Sequence, residues 1–266
     1  MGSALRLPAA IVVCLAVMLA GCSGPPPARA AVPSSSTPSS SVPSPSTARS
    51  TPGGVTFTVA GTNPVLANGS QDTHAQTPDA SCDSATLASD HALGLKIAHG
   101  FALAGLPASA DLLQHFLAGS GTGVSYPAGS RISQLALASS AFQAVNNEVQ
   151  ETVIRALKAG QTHVQLSAAQ LPTVAFESTS SDLYWGFRGT QGLAITGSGH
   201  RENGRYTGTL SYVIRDSYGF PAGDTLGGFG APMRYLQTAC GAPQQAAGAH
   251  WFPDAITVTV PFSQPA

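Results

Sequence analysis

Charge is scarce in this chain of 266 residues, which carries 13 acidic and 12 basic side chains. Any gathering of ionisable groups is therefore conspicuous. The densest is HRENGRY…YVIRDSYGF, which holds His200, Arg201, Glu202, Arg205, Arg215, Asp216 and Tyr218. A carboxylate beside a guanidinium and a phenol has the groups needed for acid–base or hydrolytic chemistry. Asn203-Gly204, however, is a tight-turn signal between two alternating segments. With the turn there, His200 and Arg205 sit near the tip and Asp216 lies ~30 Å along the ribbon, at about 3.4 Å per residue. The two groups do not share one site. The tip reads as the solvated end of a hairpin, which leaves Arg215, Asp216 and Tyr218 as the catalytic candidates. The bland alternative is a turn in which Asp216 and Ser217 bond the backbone while Tyr218 and Phe220 pack.

Other chemistries find less support. The chain has no G-x-S-x-G, H-E-x-x-H, S-x-x-K, Walker A or C-x-x-C pattern. GSGTG and GGFG lack the strand-to-helix setting of a phosphate cradle and read as loops. His91 and His99 stand two helical turns apart, ~12 Å at 1.5 Å per residue. They cannot share a metal ion bound at ~2.1 Å, and His115 is isolated, so neither metal nor cofactor is expected. Tyr184, Trp185, Phe187, Trp251 and Phe252 concentrate the aromatic side chains, either as core or as a sugar- or lipid-binding face. A net charge of −1 leaves no broad footprint for nucleic acid.

The four cysteines define the setting. Arg6 begins a targeting pattern, and residues 8–20, PAAIVVCLAVMLA, form an apolar run. That run is shorter than the ~20 residues of a membrane-crossing helix and suits a signal-peptide core. Leu19, Ala20 and Gly21 then precede Cys22. This LAGC resembles the lipobox of bacterial lipoproteins. The resemblance implies a diacylglycerol thioether on Cys22, cleavage after Gly21 and acylation of the new N-terminus, with palmitate or a similar chain. Two or three acyl chains anchor stably where one is marginal, which predicts the extracytoplasmic face of the cell membrane. An ordinary secreted protein, or an uncleaved anchor helix with a chance cysteine, is the alternative.

Residues 23–54 are almost wholly Ser, Pro, Thr, Ala and Gly. They cannot bury enough surface to offset ordering entropy and are expected to form a disordered tether. The Lys-poor, Ala/Gly/Pro-rich usage resembles that of actinobacterial proteins. With Cys14 in the signal segment and Cys22 lipidated, Cys82 and Cys240 remain. Outside the cytoplasm one disulfide is the simplest outcome, worth up to ~5 kcal/mol for so long a loop. Two free thiols are the alternative.

Beyond residue 54 the composition turns globular. VTFTVAG, from Val55, alternates like a strand. A helix is expected from Ser84 as N-cap, broken at Pro107, with Ser109 capping a second one. Phe142, Val145, Val149, Val153, Ala156 and Leu157 form the stripe of a longer helix, with Lys158 and Gly160 at its end. THVQL, PTVAFE and DLYWGFRG read as short strands, followed by the Asn203-Gly204 hairpin. Pro232 opens a short helix towards Cys240, and AITVTVPF closes the chain as a strand. Helices followed by strands predict an α+β fold, with the N-terminal helices on one face of an antiparallel sheet. The expected organisation is a signal peptide (1–21), lipidated cysteine and tether (22–54), and a single extracytoplasmic domain (55–266). A disulfide would staple its first helix to its last.

Asp216-x-Tyr218 after a strand resembles the toxin domain of colicin M-type, lipid II-cleaving bacteriocins. That family continues with a second Asp after the Tyr and then a His-Arg pair. Here Gly219 takes the place of the Asp, and Phe220-Pro221-Ala222-Gly223 lead to no His-Arg. The likeness spans under ten residues and implies at most a distant sheet architecture. Function is accordingly expected to be that of a membrane-anchored binding or scaffold module for an envelope lipid, glycan or protein. An envelope hydrolase using Asp216, or a lipid carrier with a large apolar cavity, are the alternatives.

Overall fold

The computed structural model describes residues 55–63, 83–178, 181–188, 192–220, 228–239 and 249–266. The signal segment, Cys22, the tether, Cys82 and Cys240 lie outside these residues. The strands are β1 (Val55–Asn63), β2 (Val124–Tyr126), β3 (His163–Leu166), β4 (Gly192–Glu202), β5 (Arg205–Tyr218) and β6 (Phe252–Pro265). The helices are α1 (Ser84–Leu103), α2 (Pro107–Leu117), α3 (Arg131–Ala138), α4 (Ser140–Lys158), α5 (Asp182–Phe187) and α6 (Gly230–Thr238).

The α+β expectation holds, but the sheet is mixed rather than antiparallel. Its order is β2-β6-β5-β4-β1-β3. The four central strands run antiparallel, while β3 lies parallel to β1 and β2 parallel to β6 at the two edges. Parallel neighbours require a crossover connection, and the helices supply it: α1 to α4 intervene between β1 and β3. The two edge strands are short, which limits exposed backbone pairing groups at the sheet margins.

The centre of the sheet is the hairpin read from sequence. Asn203 at φ 51° and Gly204 at φ 72° form the turn that matches the right-handed twist of the flanking strands. Side chains alternate from there, so Leu210, Tyr212 and Ile214 are fully buried while their odd-numbered neighbours are half-exposed or exposed. In β6 the matching inward set is Phe252, Ile256, Val258, Val260 and Phe262.

Helix α4 lies against this face. The Ser139 Oγ accepts from Phe142 N at 3.2 Å, and Gly160 at φ 86° ends the helix with Gln161 N donating to Ala156 O at 3.1 Å. Two phenols strap α4 to β5: Tyr206 donates to Leu157 O at 3.0 Å and Tyr212 to Asn146 Oδ1 at 2.9 Å. Burial pushes the Tyr212 phenol up, so it stays a donor.

Several local expectations change. Asp83, not Ser84, caps α1 through Ala85 N and Thr86 N. Pro107 occupies the first turn of α2, as its missing N–H allows, and Ser109 lies inside that turn rather than capping it. PTVAFE runs without regular structure, and DLYWGF is α5 rather than a strand. Aromatic residues favour strands only where a pleated surface receives alternate side chains. Here the consecutive residues Asp182, Leu183 and Tyr184 are all buried, and Ser181 caps the turn through Leu183 N at 3.1 Å. Among the described residues no helix is long and apolar enough to cross a membrane.

Candidate functional site

Strand alternation separates the three sequence candidates. Asp216 and Tyr218 point to the helix-covered face, and Arg215 points to the other. Arg215 reaches sideways, its Nη2 donating to Asn63 O at 2.9 Å, while its Nε is buried without a partner. Asp216 and Arg215 therefore do not converge. At the hairpin tip His200 and Glu202 pair at 3.3 Å in the open, at the far end of the ribbon from Asp216.

What does meet Asp216 is a residue the sequence reading passed over. Asp254 is its directly opposite partner across the β5–β6 ladder, so the two carboxyl groups share one face at cross-strand distance. Asp254 is 3% exposed and Asp216 is 7% exposed. Neither carboxyl oxygen of Asp254 has a hydrogen-bond partner. Asp216 Oδ1 accepts from Ser217 N at 2.8 Å. Burial above all, then the neighbouring Asp216 charge, pushes the Asp254 carboxyl well above its ordinary range. Two like charges in a dry site cannot both ionise cheaply, so the pair holds a proton.

The pair sits at one end of the sheet. Gly192, the first residue of β4, is level with Arg215, and three residues further β5 ends at Tyr218 opposite the start of β6 at Phe252, with α6 in the connection between them. Edge strand β2 lies alongside, with Val124 level with Asp254. Its Tyr126 phenol is pushed up, first by burial and then by Asp254, Asp111 and Asp182, which keeps it a hydroxyl. The rings around this end interlock. Tyr218 stacks on Phe252 with centroids 5.3 Å apart, Tyr126 meets Phe187 edge-on at 5.8 Å, and the His115 ring stands on Phe252 at 4.5 Å.

A second buried carboxylate behaves quite differently. The Asp182 side chain is completely buried, yet it accepts from Ser109 N and Ser109 Oγ, both at 2.9 Å, and from Arg131 Nη1 at 2.7 Å. It joins α5 to the first turn of α2 and the start of α3 with its acceptors satisfied, which is structural work. Asp254 is the opposite case, a buried acid that the fold leaves without a donor.

The sequence did carry a signal for it. In Phe252, Asp254, Ile256, Val258 and Val260 every inward position but one is apolar, so a charge there breaks the strand pattern. The aromatic candidates split: Tyr184, Phe187 and Phe252 are buried core, and Trp185 packs half-buried on Phe101 with centroids 5.3 Å apart. A half-open groove of about 380 Å³ between Ser139–Ala141 and Ala175–Ser178 is floored by Phe176 and Leu183 and lies apart from the acid pair.

Arranged in this way, the pair offers an ionisable acceptor set, one shared proton and a phenol in apolar surroundings, which suits taking up a cationic or hydrogen-bond-donating group. No protein-family model, characterised protein or solved structure matches this chain.

Proposed function

We propose that this chain is a cell-envelope lipoprotein, held on the extracytoplasmic face of the cell membrane by acyl chains on Cys22 and raised from it by the tether. Its folded domain serves as a binding module, and Asp216 with Asp254 forms the ligand-contacting group. The observation carrying this reading is the Asp254 carboxyl, buried with both oxygens unpartnered and facing a second acid. A chain with so few charges has placed two of them together where they cost stability, which is the pattern of a functional site rather than a structural one. The anchor rests on LAGC at Cys22, the short apolar run before it and the Pro/Ser-rich stretch after it.

Binding is favoured over hydrolysis by where the other groups point. Arg215 is turned to the opposite sheet face, and His200 stands at the far hairpin tip. The carrier alternative is less well supported, because the groove at Ser139 and Glu177 is half-open and partly polar.

The test is native mass spectrometry of the lipoprotein extracted from its own membranes. Wild type should retain a non-covalent mass that Asp254→Asn lacks. Identical spectra for the two proteins would contradict the assignment of the site. The anchor is tested separately with an alkyne fatty acid, whose label and membrane retention should both vanish in Cys22→Ser.

A further inference from the structure

We infer that the open face of the sheet is a second binding surface, suited to an extended, uncharged polysaccharide chain. It is separate from the acid pair, which lies on the helix-covered face.

Strand register lays this surface out. Thr58, Ser198 and Thr209 stand side by side on β1, β4 and β5, and Thr196, Ser211 and Thr259 on β4, β5 and β6 in the next row. Four such rows, between the levels of Thr56 and Thr62, make sixteen outward positions on the four central strands. All sixteen are exposed or half-exposed, and eleven carry a hydroxyl. The five exceptions are Ala60, Ala194, His200, Val213 and Pro261, so none of the sixteen is Asp, Glu, Lys or Arg. Polar side chains are ordinary on the solvated side of a sheet, and strands favour threonine. The missing charge needs another reason, because this chain charges its surface elsewhere: α4 alone exposes Glu148, Glu151, Arg155 and Lys158.

Chemistry narrows the partner. An uncharged face offers nothing to phosphate headgroups, nucleic acid or an ionic peptide. With strands about 4.8 Å apart and rows about 6.8 Å apart, the grid covers ~500 Å². That is less than the ~800 Å² each partner gives to a standard protein interface, and the grid holds none of the aromatic, Met or Arg side chains that anchor one. What it matches is another array of hydroxyls, because each hydroxyl both donates and accepts. Threonine contributes twice. Its branched Cβ restricts χ1, so little freedom is lost on contact, and its methyl group can meet the C–H face of a sugar ring. Side chains at the margins steady some hydroxyls: His163 bonds Thr58 Oγ1 at 2.9 Å and Arg205 bonds Ser263 Oγ at 3.1 Å. Those of Thr196, Ser198, Thr209 and Thr259 lie exposed in the middle. Each contact is weak, so affinity comes from many repeats of one chain, and the surface reads the repeat rather than a particular sugar.

The experiment is co-sedimentation of the full-length protein, in detergent micelles, with microcrystalline cellulose and with chitin powder, two neutral, extended polysaccharides. One variant combines Thr196→Val, Thr209→Val and Thr259→Val, which keeps the β-branched shape and removes three hydroxyls. The other is Asp254→Asn. Wild type and Asp254→Asn should bind both powders equally. The valine variant should bind about tenfold more weakly, three hydrogen bonds at the low end of their net worth, with no fall in melting temperature. Wild type left in the supernatant with both powders would overturn the inference, and so would a valine variant that binds as wild type does. Dimers in sedimentation velocity that the valine substitutions abolish would overturn it by giving the face to a second copy of the chain. Binding lost in Asp254→Asn but kept in the valine variant would move the contact to the acid pair, overturning this surface and leaving that site standing.

Discussion

Burial without a donor sets how Asp254 should behave. Its carboxyl is raised by burial and by Asp216, so the folded chain binds that proton more tightly than the unfolded chain does. Stability from this group is therefore complete below the ordinary carboxyl range and is lost as pH rises through the raised folded value. The groups facing it are Asp216 on β5 and Tyr126 on β2, with Asp111 on α2 and Asp182 on α5 also acting on Tyr126. Asp83 works in the other direction: the Thr86 hydroxyl first, then the Ala85 and Thr86 amides, hold its carboxyl low. Its contribution disappears only on stronger acidification. Above the ordinary carboxyl range the wild-type melting temperature should fall as pH rises. Asp254→Asn puts an amide N–H beside Asp216 and removes the titration. It should stabilise the fold at neutral pH by about 1–2 kcal/mol and flatten the pH profile, as differential scanning calorimetry would show.

Asp182 should respond in the opposite way. Its removal orphans the buried Ser109 donors as well as releasing Arg131, so Asp182→Ala should cost about 3–5 kcal/mol in urea unfolding. Arg131 is half exposed, and Arg131→Ala should cost clearly less because water reaches the freed carboxylate edge. Equal losses would mean that the ion pair, not the Ser109 bonds, holds this junction.

At the scale of elements, the β4–β5 hairpin depends on two glycines facing each other, Gly199 and Gly208. A Cβ on Gly208 would strike Ser198 O and crowd Gly199, while one on Gly199 would strike Thr207 O and the Phe57 ring. The bare backbone of Gly199 is the slot that Phe57 fills, edge-on to Tyr206 at 6.0 Å and to Phe262 at 5.9 Å. Gly208→Ala should therefore cost about 2–3 kcal/mol, where Gly204→Ala would strain only the turn.

Elements with a strong local code were legible: the hairpin from Asn203-Gly204, α4 from its apolar stripe and caps, β6 from its alternation. Those set by distant partners were not. Edge strand β2 is three residues long and exists because β6 receives it. Helix α5 runs through a strand-like aromatic sequence because the Asp182 carboxylate is fixed by Ser109 and Arg131. The parallel edges follow from how crossovers pack, which no local pattern encodes. The site was half legible: Asp216 stood out beside Arg215, but its true neighbour is Asp254, which only strand register could bring to it.

For the whole molecule, a Cys82–Cys240 disulfide is a proposal from the sequence, both cysteines lying outside the described residues. Asp83 N donates to the Tyr235 hydroxyl at 3.1 Å, bringing the start of α1 against α6, and these residues lie next to Cys82 and near Cys240 in the chain. Protein purified from the envelope should show no free thiol under denaturing conditions until reduced. Reduction should then lower the melting temperature, since a loop of this length is worth up to ~5 kcal/mol in the chain-entropy estimate. Free thiols in the native protein would leave α1 and α6 joined by packing and the Asp83–Tyr235 hydrogen bond. The layout as a whole is asymmetric. Helices cover one sheet face, the acid pair lies at the end where β5 and β6 meet the α6 connection, and the hairpin tip carries the exposed polar side chains His200, Arg201 and Glu202 at the other.

The functional reading turns on the protonation state of one group. Carbon-13 labelling of the aspartates in the full-length, ligand-free protein, with Asp254→Asn to assign the resonance, would follow the Asp254 carboxyl through a pH titration. The expected result is a neutral carboxyl at neutral pH that titrates well above the ordinary aspartate range. An Asp254 resonance that titrates like an exposed aspartate would show that the two acids do not form a buried, proton-sharing site.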